Sequence, residues 1–423
     1  MRTIIPVAAT LTLLYIATAQ AAPVTLRDCL TRAAAANSVL KVAAYDEKIA
    51  AESVHIADSG YLPRIDLQAG YVAQLEPQAV KFGSNTLTTQ QADFGYFNLS
   101  LYETLYDFGR TASRRQQAVL AREAVLHGYR GQEQDVFLQV VQAFYGVLEG
   151  GKILATAEEE VKQMSDHQRV AQNFYEQGVV TRNDLLQAEV KLANSKQKSL
   201  VAANNVENGW LFLNFLTGQP SGYRGELEEL VEREEPGDAK LMLEIALRKR
   251  PDVAALRKSI EADEAAVKES KGGYYPELFA RLALDYVQNN KVQEQAIMAA
   301  TVGFKVNLYD GLATTSRLRQ AVKIQAREEE RLRELETRIR LELQTALNDL
   351  NVAGKQIVVT EKAIIQSEEN LRINNDRYLE KVGTATEVID AQTLLTQTRT
   401  AYFHSVYDYQ LATARVKRAL GEL

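Results

Sequence analysis

The sequence predicts a mainly α-helical protein with transmembrane β-strands, in which a long coiled-coil helical hairpin and a β-hairpin each occur twice. Three observations predict this fold class. Two pairs of segments match at one constant offset, helical patterns continue for about 64 residues, and four segments alternate between apolar and polar residues.

The duplication is the clearest of these observations. The segment LYDFGRTASRRQQAV begins at Leu105 and resembles LYDGLATTSRLRQAV, which begins at Leu308, with nine of fifteen positions identical. A second segment, FYEQGVVTRNDLLQA from Phe174, matches RYLEKVGTATEVIDA from Arg377. Both pairs are 203 positions apart, and two chance matches would not share one offset. We expect two repeats, at residues 22–222 and 241–423, joined by an acidic linker at 223–240.

The first 21 residues have the pattern of a secretory signal. Arg2 precedes an apolar run from Ile4 to Ala17, and Ala19-Gln20-Ala21 is a cleavage site of the A-x-A type. An N-terminal membrane anchor is the alternative, but the run is shorter than the about 20 residues that a membrane-spanning helix needs.

Each repeat opens with a helical, alanine-rich pattern, from Leu26 to Ser59 and from Leu241 to Lys271. In the second, Pro251 is expected either in the first turn of one helix or between two helices. The only cysteine, Cys29, excludes an intrachain disulfide. The charged residues before it do not resemble the context of a lipidated cysteine, so we expect a plain helix residue.

Four segments then alternate as β-strands do, at about residues 64–74, 95–107, 277–288 and 298–309. A polar segment with proline and glycine separates the first two and predicts a long hairpin loop. The first β-hairpin is about ten residues longer than the second, and we expect the extra residues in that loop. Strands of this length with one apolar face are typical of transmembrane β-strands, although a half-buried strand of a soluble sheet is the alternative for each one.

Four strands cannot close a barrel. In lipid, each unpaired backbone group at an open sheet edge costs several kcal/mol. The sequence therefore predicts an oligomer, and three copies would supply a closed barrel of twelve strands.

Two very long helical hairpins follow the strands. One helix is expected from Ser113 to about Glu176, where Gly150-Gly151 would mark a bend, and its return helix from Asn183 to Leu216. The second pair is expected from Thr315 to Leu379 and from Thr386 to Leu420. The tips lie at 176–183 and 379–386, and Thr181 with Asp184 predicts a capping box at the start of the first return helix.

Composition and motifs exclude several classes of function. The chain of 423 residues has a net charge of −6, which argues against nucleic acid as a partner. It has no phosphate-binding loop and no nucleophile elbow, and its four histidines are not at metal-ligand spacing. We therefore expect no catalytic site, no cofactor and no metal, and an energy source that lies in another protein.

The duplicated halves, the YLP entry to the first strand, LYDFGR and YEQGVVTRNDLLQA together resemble the TolC-like outer-membrane efflux proteins. This resemblance covers essentially the whole mature chain. It implies a homotrimer with a twelve-strand β-barrel in the lipid of the outer membrane and a twelve-helix α-barrel in the periplasm. It also implies a periplasmic adaptor as direct partner and an inner-membrane pump as indirect partner.

The resemblance further implies functional residues at the tips. A link between Asp184 and Tyr378 would close the periplasmic entrance, and the acidic residues Glu387 and Asp390 would narrow it. The family's arginine that provides a second closing contact falls on Gly383, so this chain has no arginine at that position for the contact. Another interpretation of Glu387 and Asp390 is that they only stabilise the start of a helix. The adaptor would dock on Gly178, Val179, Val180, Thr181, Val382, Gly383, Thr384 and Ala385.

The leading functional prediction is a passive exit duct of a tripartite efflux or type I secretion system. The alternative is a soluble periplasmic coiled-coil scaffold without channel activity. The sequence leaves the cargo open between drugs, metal ions and proteins.

Overall fold

The computed structural model describes residues 23–229 and 237–423. The predicted secretory signal at 1–21 and residues 230–236 of the predicted linker lie outside this part. Eight α-helices are described: α1 (Leu26–Ala36), α2 (Ser38–Asp58), α3 (Arg110–Glu176), α4 (Arg182–Thr217), α5 (Ala239–Lys249), α6 (Pro251–Gly272), α7 (Ala313–Leu379) and α8 (Ala385–Leu420). Six strands are described: β1 (Arg64–Ala73), β2 (Ala79–Phe82), β3 (Asn85–Thr88), β4 (Asp93–Tyr106), β5 (Glu277–Val287) and β6 (Ala296–Lys305).

The two repeats share one four-stranded antiparallel sheet. Its strand order is β1-β4-β5-β6, so β4 of the first repeat pairs with β5 of the second. The strands β1 and β6 form its edges, and many of their apolar side chains are exposed, including Ile65, Leu67, Tyr71, Ile297, Met298, Val302 and Phe304. The sheet therefore ends on both sides in unpaired, apolar strands.

The segment between β1 and β4 is not the plain polar loop that was expected. It contains the small hairpin of β2 and β3, in which Val80 pairs with Leu87. Gly83 makes the turn with a φ of +60°, which a residue without a side chain adopts at no steric cost. Strands of four residues are at the lower limit of the length over which alternation can be recognised in a sequence, so they give only a weak signal.

The last strand, β6, ends four residues before the expected position. Lys305 pairs with Glu277, the first residue of β5, and Pro276 before it has no backbone N–H to extend the ladder. The residues after Lys305 therefore have no partner strand and lead into α7 instead.

The helical pattern at the start of each repeat is broken once. Asn37 separates α1 from α2, and Arg250 separates α5 from α6; both residues have extended backbone angles. The side chain of Asn37 accepts from Val39 N and donates to Leu216 O, which fixes the break against α4. Pro251 follows Arg250 as the first residue of α6, so both expectations for this proline hold together.

The long helix α3 continues as α-helix through Gly150 and Gly151, where a bend was expected. A Cβ atom on Gly150 would lie 3.2 Å from Val206 on α4, and one on Gly209 would lie 3.2 Å from Val147 on α3. These glycines therefore allow α3 and α4 to approach each other closely.

Residues 226–228 of the predicted linker pair with Val24 of the first repeat. Val24 N donates to Glu226 O at 2.7 Å, and Glu228 N donates to Val24 O at 3.0 Å. Each repeat has its own buried core. The core of the first repeat includes Phe144 and Trp210, and that of the second includes Ile339 and Tyr409.

None of the described helices combines the length and the apolar character that crossing a membrane requires.

Short junctions connect the sheet to the long helices. Asp107 accepts from the backbone N of Thr111 at 2.7 Å, and Asp310 does the same for Thr314 at 2.9 Å. Before each helix the chain turns through two left-handed residues, Phe108-Gly109 and Gly311-Leu312. The LYD segments of the two repeats thus perform the same capping function.

Candidate functional site at the helical tips

The first tip is a tight turn that ends α3 and starts α4. Gly178 has a φ of +74°, and Val179 N donates to Phe174 O at 2.8 Å, which closes the end of α3. Thr181 begins α4 as its N-cap. The N–H of Thr181 donates to Asp184 Oδ2 at 2.9 Å, and the N–H of Asp184 donates to Thr181 Oγ1 at 3.3 Å, as the sequence predicted.

The second tip reaches the same shape with different residues. Lys381 adopts the left-handed conformation of Gly178, with a φ of +63°, and its Nζ lies 5.9 Å from the centre of the Phe174 ring. Gly383 is needed for a different reason, because a Cβ there would lie 3.1 Å from Tyr378 N. The delayed glycine of the second repeat is therefore a close-approach residue and not a turn residue.

The two acidic residues at the helix starts are engaged in capping. Asp184 closes the box at α4, and Glu387 closes the equivalent box at α8, accepting from Thr384 N at 2.9 Å. Glu387 also lies 3.6 Å from Arg377 Nη1. Asp390, one turn further, is exposed and forms no ion pair with the described residues.

Tyr378 lies between the two hairpins and not at the surface. Its ring is 5.1 Å from His167 and 5.6 Å from Phe174, and the residue is 4% exposed. Its hydroxyl has no hydrogen-bond partner among the described residues, so the link to Asp184 that the family resemblance implies is not formed. Burial, and secondly the nearby charge of Asp184, raise the pKa of Tyr378.

The expected docking residues differ in accessibility. Val179 and Val382 are exposed, as are Gly178, Thr181 and Thr384. Val180 and Gly383 are half-buried, and Ala385 is buried, so Ala385 supports the tip from within and adds no contact surface.

Polar contacts also connect the return helices just behind the tips. Thr386 donates to Gln187 Oε1 at 3.1 Å, and Lys191 donates to Thr393 Oγ1 at 2.7 Å. Sequence reasoning missed these contacts, and also missed His167 and Gln392, because they depend on how the two repeats pack against each other.

Within residues 23–229 and 237–423, no group of three or more histidine, cysteine or acidic side chains could hold a metal ion.

Comparison with known proteins identifies the family. The family model described as outer membrane efflux protein matches residues 29–219 and 242–422, which are nearly all of both repeats. The outer membrane protein TolC of Vibrio cholerae is 22% identical over 394 residues, covering 91% of this chain and 87% of that protein. The alkaline protease secretion protein AprF of Pseudomonas aeruginosa is 22% identical over 361 residues, covering 80% and 73%.

A solved structure shares the fold. The crystal structure of the outer membrane protein VceC from Vibrio cholerae superposes with a TM-score of 0.79 at 16% identity, covering 94% of this chain and 96% of that one. The fold class and the resemblance that the sequence predicted are thereby confirmed. The chain belongs to the outer membrane efflux protein family, and it is an exit duct of the Gram-negative outer membrane with a periplasmic extension.

Proposed function

We propose that three copies of the chain form one duct, with twelve strands in the outer membrane and a helical barrel that reaches into the periplasm. The observation that carries this proposal is the four-stranded sheet with its two unpaired edges, β1 and β6. Lipid offers no hydrogen bonds to such edges, so each must find a strand of another copy.

The duplication indicates how the copies join. Within the chain, Leu99 of β4 lies opposite Leu284 of β5. Moving each strand by its repeat offset, 203 for β4 and 213 for β5, gives β6 of one copy against β1 of the next, with Val302 opposite Tyr71. Both of these side chains are exposed in the single chain. A contact of this head-to-tail kind closes into a ring when the rotation fits.

The helices have an equivalent unfinished edge. In the second repeat, α6 packs against both α3 and α7. Its counterpart in the first repeat, α2, packs mainly against α3 and exposes an apolar stripe of Val39, Val42, Tyr45, Ile49 and Ile56. Repeating the contact of α3 with α6 places α7 of the next copy on this stripe, so sheet and helices close in the same direction.

Crosslinking tests the assembly. A Val302→Cys, Tyr71→Cys protein in detergent or native membranes should give covalent trimers with a short bifunctional thiol reagent, because opposite Cβ atoms in a sheet are about 5 Å apart. The control is Thr301→Cys with Tyr71→Cys, whose side chains would point to opposite faces. Crosslinked trimers from the control alone, or a monomer in both cases, would refute the proposed closure.

The tips are the docking surface for a periplasmic adaptor, through which an inner-membrane pump acts indirectly. Exposed apolar residues mark interaction sites, and Val179, Leu379 and Val382 are exposed at the ends of the hairpins furthest from the sheet. Relatives are named for efflux and for secretion of a protease, which supports both classes of export. The adaptor and pump then decide the cargo.

Introducing a charge at the tip tests the docking surface. Val382→Asp should abolish export-dependent growth and adaptor crosslinking while the trimer persists. The matched control is Val80→Asp in the small β2–β3 hairpin, where the valine is also exposed. Equal loss of export in both variants would count against the tip as the docking site.

The same tips form the periplasmic gate, with Asp184, Tyr378, Glu387 and Asp390 in different roles. Asp390 presents an exposed charge, and Glu387 is half-exposed, so the entrance favours cations. Tyr378 holds the second hairpin against the first through its ring contacts with His167 and Phe174. Asp184 acts by fixing the start of α4.

Single-channel recordings in planar bilayers separate these roles. Asp390→Asn should reduce cation selectivity, and Glu387→Gln should do so while keeping the capping box, in which glutamine replaces glutamate. Tyr378→Ala and Asp184→Ala should raise the conductance of the closed state. Unchanged selectivity in the first two variants together with unchanged conductance in the last two would reject the gate.

A further inference from the structure

A cavity lies between the two helical hairpins, α3–α4 and α7–α8, just behind the tips. Its walls come from α3, α7 and α8. Its volume is about 420 Å³. Three buried polar atoms in its lining have no hydrogen-bond partner among the described residues: His167 Nε2, the Tyr378 hydroxyl and Gln392 Oε1. These residues are 7%, 4% and 3% exposed. Buried polar atoms are nearly always paired, so three unpaired ones around one cavity point to a binding site.

All three atoms can accept a hydrogen bond. Gln392 donates through Nε2 to Thr396 Oγ1 at 3.4 Å, which leaves its carbonyl oxygen as an acceptor. Burial lowers the pKa of His167, which favours the neutral ring, and Nε2 accepts in the tautomer that carries its proton on Nδ1. The Tyr378 hydroxyl can accept as well as donate. A ligand that donates several hydrogen bonds from one atom would satisfy all three.

The remaining walls indicate the rest of the ligand. Glu159, Asp166 and Lys162 line the cavity; Asp166 is paired with Arg169 Nη2 at 2.9 Å, so Glu159 is the acidic lining residue that forms no ion pair with the described residues. The other lining side chains include an apolar group of Met164, Val170, Leu371, Leu379 and Val388. A positive, donor-rich head and an apolar body would match this surface, and the volume is within the range of small-molecule sites.

We propose that this cavity binds a small organic ammonium ion, whose N–H groups donate to His167, Tyr378 and Gln392 while its apolar part lies against Leu371 and Val388. An ammonium group has three donors, one for each acceptor. Because the ligand contacts α3, α7 and α8 together, it joins the first hairpin to the second and stabilises their present arrangement.

The duplication separates this site from ordinary hairpin packing. The 203-residue offset relates His167 to Asn370, Tyr378 to Tyr175 and Gln392 to Glu189. Two of the three counterparts, Asn370 and Glu189, are different residue types. The buried polar cluster is therefore a feature of one junction between repeats and not of the repeat itself.

Calorimetric titration of the full-length protein in detergent with 2-phenylethylammonium chloride tests the proposal. We expect one binding event for each chain, a rise in the thermal midpoint, and at least about tenfold weaker binding of neutral 2-phenylethanol, the size of a charge-assisted hydrogen bond. Gln392→Leu and Tyr378→Phe should each weaken ammonium binding about tenfold. The matched control is Tyr175→Phe, which should bind like the unmodified protein.

A second measurement keeps the test independent of the chosen probe. Without ligand, Gln392→Leu and Tyr378→Phe should leave the thermal midpoint unchanged or raise it, because each removes an unpaired buried polar atom. Lower midpoints in both variants would mean that these atoms are already satisfied, and would overturn the proposal. So would equal binding of the ammonium and the alcohol, no binding of the ammonium, or an equal loss in Tyr175→Phe.

Discussion

The buried carboxylate of Glu160 makes the first helical hairpin depend on one lysine. The Glu160 side chain is 0% exposed on α3, and Lys191 Nζ on α4 lies 3.3 Å from it, with Ser195 Oγ donating at 3.2 Å. At an effective dielectric constant of about 20, two charges at that distance attract by about 5 kcal/mol. Removing one partner of a buried pair costs about 3–5 kcal/mol when the other charge is left uncompensated. Because Lys198 also lies near Glu160, we expect Lys191→Met to destabilise the hairpin by at most that amount.

Lys198 is the control, because its Nζ lies 3.6 Å from the same carboxylate but its side chain is 52% exposed. Lys198→Met should cost about 1 kcal/mol or less. Hydrogen exchange of the α3 and α4 amides around Glu160 in the native protein measures both variants. The double variant Glu160→Leu, Lys191→Leu should exchange nearly as slowly as the unmodified protein, since an apolar pair can replace a buried ion pair. Equal, small effects of Lys191→Met and Lys198→Met would refute this reasoning.

Other perturbations act on the second tip, on a buried histidine and on the only cysteine. Gly383→Ala should speed amide exchange at the second tip, because the new Cβ would lie 3.1 Å from Tyr378 N. Lys381→Gly should slow amide exchange there, because it removes the strain of a left-handed lysine, about 1 kcal/mol. The pKa of His167 is lowered by burial, so between that pKa and the unfolded value near 6.5 the unfolded chain binds more protons. Stability should therefore fall as pH drops below about 6.5. The thermal midpoints at pH 5 and pH 7.5 should differ less in His167→Asn than in the unmodified protein. The same difference in both proteins would count against this role of His167. Burial raises the pKa of Cys29 to about 11, so iodoacetamide at pH 8 should label it only after unfolding, as mass spectrometry would show; rapid labelling of the native protein would contradict the buried position.

Helix caps and helix starts could be predicted from the sequence where one short segment determines the local structure. The capping box of Thr181 and Asp184 needs only four neighbouring residues, and Pro251 restricts its own backbone. Asn37 was missed as a break, because asparagine occurs in helices, turns and caps alike. Its role becomes visible only through its contact with Leu216, 179 residues away.

The candidate gate shows where sequence reasoning stops. Two roles were assigned to Asp184, a cap and a link to Tyr378, and the structure contains the cap alone. A contact three residues away along the chain costs far less loop-closure entropy than one about 190 residues away. The environment of Tyr378, with His167 and Gln392 beside the same cavity, depends on the packing of one repeat against the other. Periodicity within either repeat carries no information about it.

The short connection from β4 to α3 has a mechanical consequence. The strand ends at Tyr106 and the helix starts at Arg110, with the capping carboxylate of Asp107 holding the corner. The 67 residues of α3 form a helix about 100 Å long that can tilt about this corner. A tilt of about one degree there displaces the opposite end by about 2 Å. The stiffness of the few residues between β4 and α3 thus determines how far the tip at the opposite end of α3 is displaced.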